Sequence, residues 1–262
     1  MLRLACLLTI FGGLAAAQPS IFTGGVVNGA SFAPGQGMAP GGLVSIFGSS
    51  LASSTVPGDT IPLSAAIGGT SITFNGIAAG LYFVSSGQVN AQLPWNVLPA
   101  GATSGTATMV VTGPGGSSAP FTIQVVSAAP GIFSTPTGAG YAIAINADGS
   151  LAAPTGAIQG IATHPAHVGD TLEVLATGLG AVNPPVANGA ASLDALRNTI
   201  ATPVVLIGGM QAVVPFSGLS PQFPGINQLN VVVPKVSPGN SIPIQLQMNS
   251  ITSTNQVVIA IQ

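Results

Sequence analysis

One short sequence pattern occurs twice in the chain, and this repetition limits the folds that the chain can adopt. GQVNAQLPWNVLPAG occupies residues 87–101, and GINQLNVVVPKVSPG occupies residues 225–239. Each has the pattern of a short strand that runs into a proline-containing turn, because proline cannot donate a hydrogen bond within a central strand. Asn90 in the first phrase matches Asn230 in the second. The repetition indicates two copies of one β-rich unit.

Other segments repeat in the same order along the chain. The matching pairs are residues 42–52 with 170–180, residues 73–85 with 206–218, and residues 106–126 with 241–261. In the second pair, Asn75-Gly76 and Gly208-Gly209 stand between two apolar runs, which is a strong signal for a tight hairpin. The spacing between matching segments grows along the chain, so length changes fall in turns while the strands keep their order.

The local patterns favour strands throughout and disfavour helices. In SIPIQLQM, residues 241–248, apolar side chains alternate with polar ones, as expected for a sheet with one buried face. The chain contains 36 Gly and 22 Pro, which are the two poorest residues for a helix interior. Short strands separated by frequent turns predict an all-β protein made of two tandem β-sandwiches.

The N-terminus has the features of an export signal. MLRLACLLTIFGGLAAA, residues 1–17, has an early cation at Arg3, an apolar run and small residues before Gln18. The apolar run is too short to span a membrane, and no later segment is long enough to do so. We therefore expect residues 1–17 to be a cleaved signal peptide and the mature chain to be secreted or exposed at the cell surface.

The repeat divides the mature chain into two domains and a connector. We predict a first β-sandwich over residues 18–127, a connector over 128–165 and a second β-sandwich over 166–262. Within the connector, YAIAIN and SLAAP flank Ala147-Asp148-Gly149, which predicts a hairpin that covers or extends the second sandwich.

The scarcity of charge excludes several functions. Only 3% of the residues are charged, with three Lys and Arg against five Asp and Glu. Recognition of a phosphate backbone needs several cations, so the sequence excludes nucleic acid as a partner. The single cysteine, Cys6, lies in the predicted signal peptide, and we expect no cofactor and no thiolate metal site in the mature chain.

Several segments together resemble a family of exported bacterial modules. They are VVNGASFAPGQGMAPGGLVSIFGSSL, FNGIAAGLYFVSSGQVNAQLPW, AAPGIF, INADGS, HPAHVGDTLEVLATGLGAVNPPVANG and INQLNVVVP. The family is the Solibacter uncharacterised C-terminal domain family, and each half also resembles an immunoglobulin-like domain of the IPT/TIG type. The resemblance implies two tandem immunoglobulin-like β-sandwiches and an exported location. It implies no catalytic residues.

Two histidines are the main candidates for chemistry. His164 and His167 lie in ATHPAHVGD, close to Asp170. Neutral imidazoles are good zinc ligands, but Pro165 prevents a helix that would place both on one face. We therefore expect a solvated loop here, with no metal. A hydrolase that uses His164 or His167 is the weakest alternative, because the chain has few groups for acid–base chemistry.

Aromatic residues near the first repeated phrase are the candidates for binding. Trp95 is the only tryptophan, and Tyr82 lies in the neighbouring predicted hairpin. An exposed aromatic ring on a β-sandwich can stack on a sugar. The sequence thus predicts a non-catalytic, exported interaction or structural module whose partner is a protein or polysaccharide of the cell surface. The alternative is a carbohydrate-binding module that uses Trp95.

Overall fold

The structure is a computed structural model that describes residues 16–262, so the predicted signal peptide lies outside the described residues except for its last two positions. All regular elements in this range are β-strands, which confirms the predicted all-β class. No helix in the described part of the chain is long and apolar enough to cross a membrane.

The first sandwich consists of two sheets. Its strands are β1 (Ser20–Asn28), β2 (Leu43–Ser49), β3 (Val56–Pro57), β4 (Ala66–Ile67), β5 (Thr70–Phe74), β6 (Ile77–Ala78), β7 (Gly80–Val84), β8 (Gln88–Gln92), β9 (Ser104–Gly113), β10 (Gly116–Ser117) and β11 (Phe121–Val126). One sheet has the strand order β1-β2-β8-β7-β3. The other sheet has the strand order β10-β9-β5-β4, and in it β11 also pairs with β9 and β6 pairs with β5. Ile46, Phe74, Leu81 and Met109 lie in the core between them.

The strands of the second sandwich are β12 (Gly131–Ile132), β13 (Ser134–Thr135), β14 (Gly140–Ala142), β15 (Ala144–Ile145), β16 (Leu151–Ala152), β17 (Thr163–His164), β18 (Thr171–Thr177), β19 (Val182–Asn183), β20 (Asn198–Thr199), β21 (Val204–Ile207), β22 (Met210–Leu219), β23 (Asn227–Val232), β24 (Gly239–Met248), β25 (Ile251–Thr252) and β26 (Val257–Ile261). They are hydrogen-bonded in the order β13-β14-β26-β24-β21-β22-β23-β18-β15-β16-β17. A bulge between Val213 and Phe216 bends β22, which pairs with β21 before the bulge and mainly with β23 after it.

The strand pairing of the two sandwiches confirms the internal repeat. β2, β8 and β7 pair in the same order as β18, β23 and β22, and β5, β9 and β11 in the same order as β21, β24 and β26. The two predicted hairpins are also present: Phe74 pairs with Ile77, and Ile207 pairs with Met210. The turn residues between these pairs, Asn75-Gly76 and Gly208-Gly209, all have positive φ, as a tight two-residue turn requires.

The segment predicted as a connector, residues 128–165, is part of the second sandwich. Its strands β12 and β15 pair with β18, and β14 pairs with β26. Ala128, Ile132, Ala142 and Ala144 lie in the second core. The second sandwich therefore begins near Ala128 and not at residue 166, because these small apolar side chains complete its core. The hairpin expected in this segment is formed by β15 and β16.

Candidate functional site

The two sandwiches meet along a contact surface, here called the seam, that buries polar groups from both sides. The Leu43 backbone N–H donates to the Thr177 hydroxyl at 2.8 Å, and that hydroxyl donates to the Gly225 carbonyl at 2.8 Å. The Gly189 N–H donates to Oε1 of Gln92 at 2.6 Å, and the Gln92 side chain is fully buried. Paired buried groups of this kind fix geometry, because an unpaired one is costly.

Asn28 secures the start of the second sandwich to the first. Its Nδ2 donates to the Ala129 carbonyl at 2.8 Å, and its Oδ1 accepts hydrogen bonds from the backbone N–H groups of Ala30 and Ser31 at 2.9 and 3.0 Å. The residue is only 3% exposed. One amide thus satisfies three backbone groups that are shielded from water.

Trp95 lies at the seam and is partly exposed, so the sugar-stacking role that the sequence predicts for it stays a prediction. Its backbone N–H donates to Oδ1 of Asn188 at 2.8 Å. Gly41 lies so close to its ring that a Cβ atom there would overlap the ring carbons. The indole Nε1 is buried and has no hydrogen-bond partner among residues 16–262. The second sandwich thus contacts Trp95, which the local sequence does not show.

An ion pair holds the loop that carries Asn188 and Gly189 to the seam. The Arg197 guanidinium donates to both carboxylate oxygens of Asp194, at 2.6 and 2.9 Å, and to the Pro185 carbonyl at 3.3 Å. The Arg197 side chain is 8% exposed, whereas that of Asp194 is 69% exposed. The guanidinium lowers the pKa of Asp194 to about 2. The pair therefore links the shape of this loop to the charge on Asp194.

This ion pair predicts a specific loss of stability in acid. The folded-state pKa of Asp194 lies below its ordinary value of 3.8, so its contribution is complete above about pH 4 and is lost as the pH falls towards 2. We expect the difference in urea midpoint between the wild type and Asp194→Asn to shrink steadily over this window. Asp59→Asn, at an exposed loop position, is the matched charge control. A difference that stays constant from pH 5 to about pH 2 would contradict this assignment.

A groove of about 390 Å³ opens at the seam, and both sandwiches line it. Its volume falls in the range of about 300–1,000 Å³ that is usual for ligand sites. The apolar lining side chains include Phe32, Leu43, Tyr82, Phe133, Ile143 and Ile226. None of the described residues that line the groove is Asp, Glu, Lys, Arg or His. The groove is therefore an apolar surface without fixed charge.

A pair of amides provides the polar part of the groove. Ser45 Oγ and Gln88 Nε2 both donate to Oδ1 of Asn90, at 3.0 and 2.8 Å. These bonds hold the Asn90 side chain in one orientation. They leave Asn90 Nδ2 and Gln88 Oε1 without a hydrogen bond to any residue that the structure describes. The amide pair thus gives the groove one donor group and one acceptor, in addition to the hydroxyl groups of Ser134 and Thr137.

Tyr82 is the one residue predicted for binding that lines the groove. Its hydroxyl donates to the Pro224 carbonyl at 2.8 Å, across the seam, and its ring forms part of the groove wall. Burial raises the pKa of the phenol, so it stays neutral. Sequence reasoning missed Gln88 and Asn90, although Gln-Val-Asn at 88–90 recurs as Gln-Leu-Asn at 228–230. It also missed Phe32 and Phe133, for which the sequence carries no local signal.

The two histidines each pair with a different carboxylate. His164 Nε2 lies 3.1 Å from Asp148, and His167 Nδ1 lies 3.4 Å from Asp170. The Pro165 carbonyl, 2.8 Å from His164 Nδ1, and more weakly Asp148, raise the pKa of His164. Within residues 16–262, no three His, Cys, Asp or Glu side chains come close enough together to hold a metal ion.

The arrangement around His164 does not match that of a catalytic triad. Ser150 Oγ donates to Asp148 at 2.7 Å, and the other oxygen of Asp148 faces His164. Asp148 therefore lies between the hydroxyl and the imidazole. A triad needs the imidazole next to the hydroxyl, so that it can accept the proton of the nucleophile. In this arrangement, His164 cannot activate Ser150.

The fold and the groove together define a tandem of two immunoglobulin-like β-sandwiches with a concave surface between them. No family model matches the chain and no curated protein is similar to it, so the resemblance to the Solibacter family stays a prediction.

Several solved structures are similar to the chain at low identity and low TM-score. A Bacteroides ovatus protein of a mixed-linkage glucan utilization locus, SGBP-B in complex with a mixed-linkage heptasaccharide, is 14% identical over 86% of this chain, with a TM-score of 0.31. The chain spans 42% of that protein's length. The titin I9–I11 tandem is 12% identical over 87% of this chain and 63% of its own, with a TM-score of 0.21. The titin A164–A165 tandem is 11% identical over 86% and 90%, with a TM-score of 0.23.

Proposed function

We propose that this protein is an exported, non-catalytic binding module whose ligand lies in the groove at the seam. The observation that carries this proposal is the composition of the groove: aromatic and aliphatic walls, one oriented pair of amides, and no carboxylate or imidazole in its lining. Such a surface can hold a ligand, but it lacks groups that exchange protons near neutral pH. Export rests on the predicted signal peptide, and the partner is material of the cell surface or its surroundings.

Truncation of a groove wall tests this function. We expect the labelled mature chain to bind to envelope material of the bacterium that encodes it, and Phe133→Ala to weaken this binding by about tenfold, because it removes a partly exposed aromatic surface on which a ligand can stack. Retention on the immobilised material measures the effect, and analysis of the released fraction checks that no soluble product is formed.

The matched control is Phe22→Ala, since Phe22 is 53% exposed and does not line the groove. Equal loss of binding in both phenylalanine variants would show that the groove is not the binding site. Steady release of degradation products by the wild type would show that the protein is an enzyme.

A further inference from the structure

We infer that the groove binds a neutral oligosaccharide, with a sugar ring against its aromatic wall and sugar hydroxyls on Asn90 and Gln88. The inference rests on the proposed function and names the ligand of the same site. It differs from the sequence prediction in its location, because that prediction placed sugar stacking on Trp95.

The walls of the groove suit the apolar face of a sugar ring. Phe32, from the loop after β1, and Tyr82, from β7, line it from the first sandwich, and Phe133 lines it from the second. The Phe32 ring is itself supported by Phe47, with the ring centroids 6.0 Å apart. Aromatic faces provide broad contact area at little cost in conformational entropy. Three such rings around one groove can hold a flat, rigid ligand.

The amide pair suits vicinal hydroxyls. Asn90 Nδ2 can only donate and Gln88 Oε1 can only accept, and both are free while Ser45 holds Asn90 in place. A sugar hydroxyl can donate and accept, so two neighbouring hydroxyls satisfy both amides at once. Phosphate, sulfate or carboxylate groups would gain one donor from the amide pair and no cation. The lining therefore favours a neutral glycan over an acidic one.

The position of the amides in the sheet disfavours an extended peptide. An extended peptide usually binds by adding a strand to an open sheet edge, where backbone groups are free. Asn90 and Gln88 lie on β8, which is already paired with β2 on one side and β7 on the other. Ser45 lies on β2, which is paired with β1 and β8. The strands that carry the amide pair thus offer no open edge, and recognition by this part of the groove must come from side chains.

The internal repeat supplies a matched control. In the second sandwich, Gln228 Nε2 donates to Asn230 Oδ1 at 3.1 Å, which reproduces the bond between Gln88 and Asn90. Gln228 and Asn230 do not line the groove. They are thus the same chemical pair in the same strand context without the aromatic walls.

Calorimetric titration of the mature chain tests the inference. The probes are cellohexaose, maltohexaose and mannohexaose, a proline-rich peptide and heparin as a polyanion. We expect at least one hexasaccharide to bind, the double variant Gln88→Ala/Asn90→Ala to weaken it by about tenfold or more, and Gln228→Ala/Asn230→Ala to change it by less than about twofold. Phe133→Ala is the second groove variant, should the amide variant fold poorly.

Three results would overturn the inference. The first is binding of the peptide or of heparin while no hexasaccharide binds. The second is binding of none of the probes. The third is an equal loss of hexasaccharide binding in the two amide variants. If the envelope binding that depends on Phe133 persists in any of these cases, the proposed function stands and only the ligand class is wrong. If that binding is also absent, both fail together.

Discussion

Gly41→Ala is expected to lower the free energy of unfolding by about 2–5 kcal/mol. Two effects add at this position. Gly41 has a φ of +75°, a conformation that costs a residue with a side chain about 1–2 kcal/mol. Its new methyl group would also overlap the Trp95 ring at the seam, and such overpacking costs about 1–3 kcal/mol. Urea unfolding, followed by circular dichroism, measures the sum.

A second glycine separates the two effects. Gly69 has the same φ of +75°, but a Cβ atom there would have nothing within 4 Å. Gly69→Ala should therefore show only the backbone cost of about 1–2 kcal/mol. Trp95→Ala should destabilise the Gly41→Ala variant less than it destabilises the wild type, because it removes the overlap between the new methyl group and the Trp95 ring. Equal destabilisation by Gly41→Ala and Gly69→Ala would show that Trp95 does not pack on Gly41.

Asn28→Ala is expected to destabilise the protein by about 3–5 kcal/mol. The change removes three hydrogen bonds and leaves the N–H groups of Ala30 and Ser31 and the carbonyl of Ala129 without partners in a buried place. Each unsatisfied buried group costs about 1–3 kcal/mol, reduced where water can enter. The effect should appear as a lower urea midpoint for the whole chain, because Asn28 ties the two sandwiches together.

Asn227→Ala is the matched control for this change. Asn227 is also 3% exposed, but its two hydrogen bonds, to Leu179 and Gly218, are 3.3 and 3.4 Å long and lie within the second sandwich. We expect it to cost about 1–2 kcal/mol. A cost for Asn28→Ala no greater than that for Asn227→Ala would contradict the role of Asn28 at the seam.

The strands and hairpins could be predicted because their signals are local. Asn75-Gly76 and Gly208-Gly209 need positive φ, and the sequence shows this within two residues. Alternation also predicted which side chains are buried: within residues 241–248, Ile244, Leu246 and Met248 lie in the core, while the glutamines between them are at least partly exposed. The repeat then predicted the order of the matching strands, since each copy supports the interpretation of the other.

The seam and its groove could not be predicted because their partners are far apart along the chain. Tyr82 meets Pro224 at a separation of 142 residues, and Asn28 meets Ala129 at a separation of 101. Nothing near Trp95 indicates that Gly41 and Asn188 cover it. For the same reason, the sequence predicts a connector over residues 128–165: their Ala and Gly residues give no amphipathic pattern, yet five side chains of this segment lie in the second core.

The uncharged lining of the groove has a consequence for the surroundings in which the protein can act. Dissolved ions screen interactions between charges and leave contacts between neutral groups almost untouched. An apolar wall and two amides give ions nothing to screen, so the strength of recognition should be nearly the same in fresh and in saline water. Recognition in the groove should therefore depend little on ionic strength, which fits the export proposed for this protein.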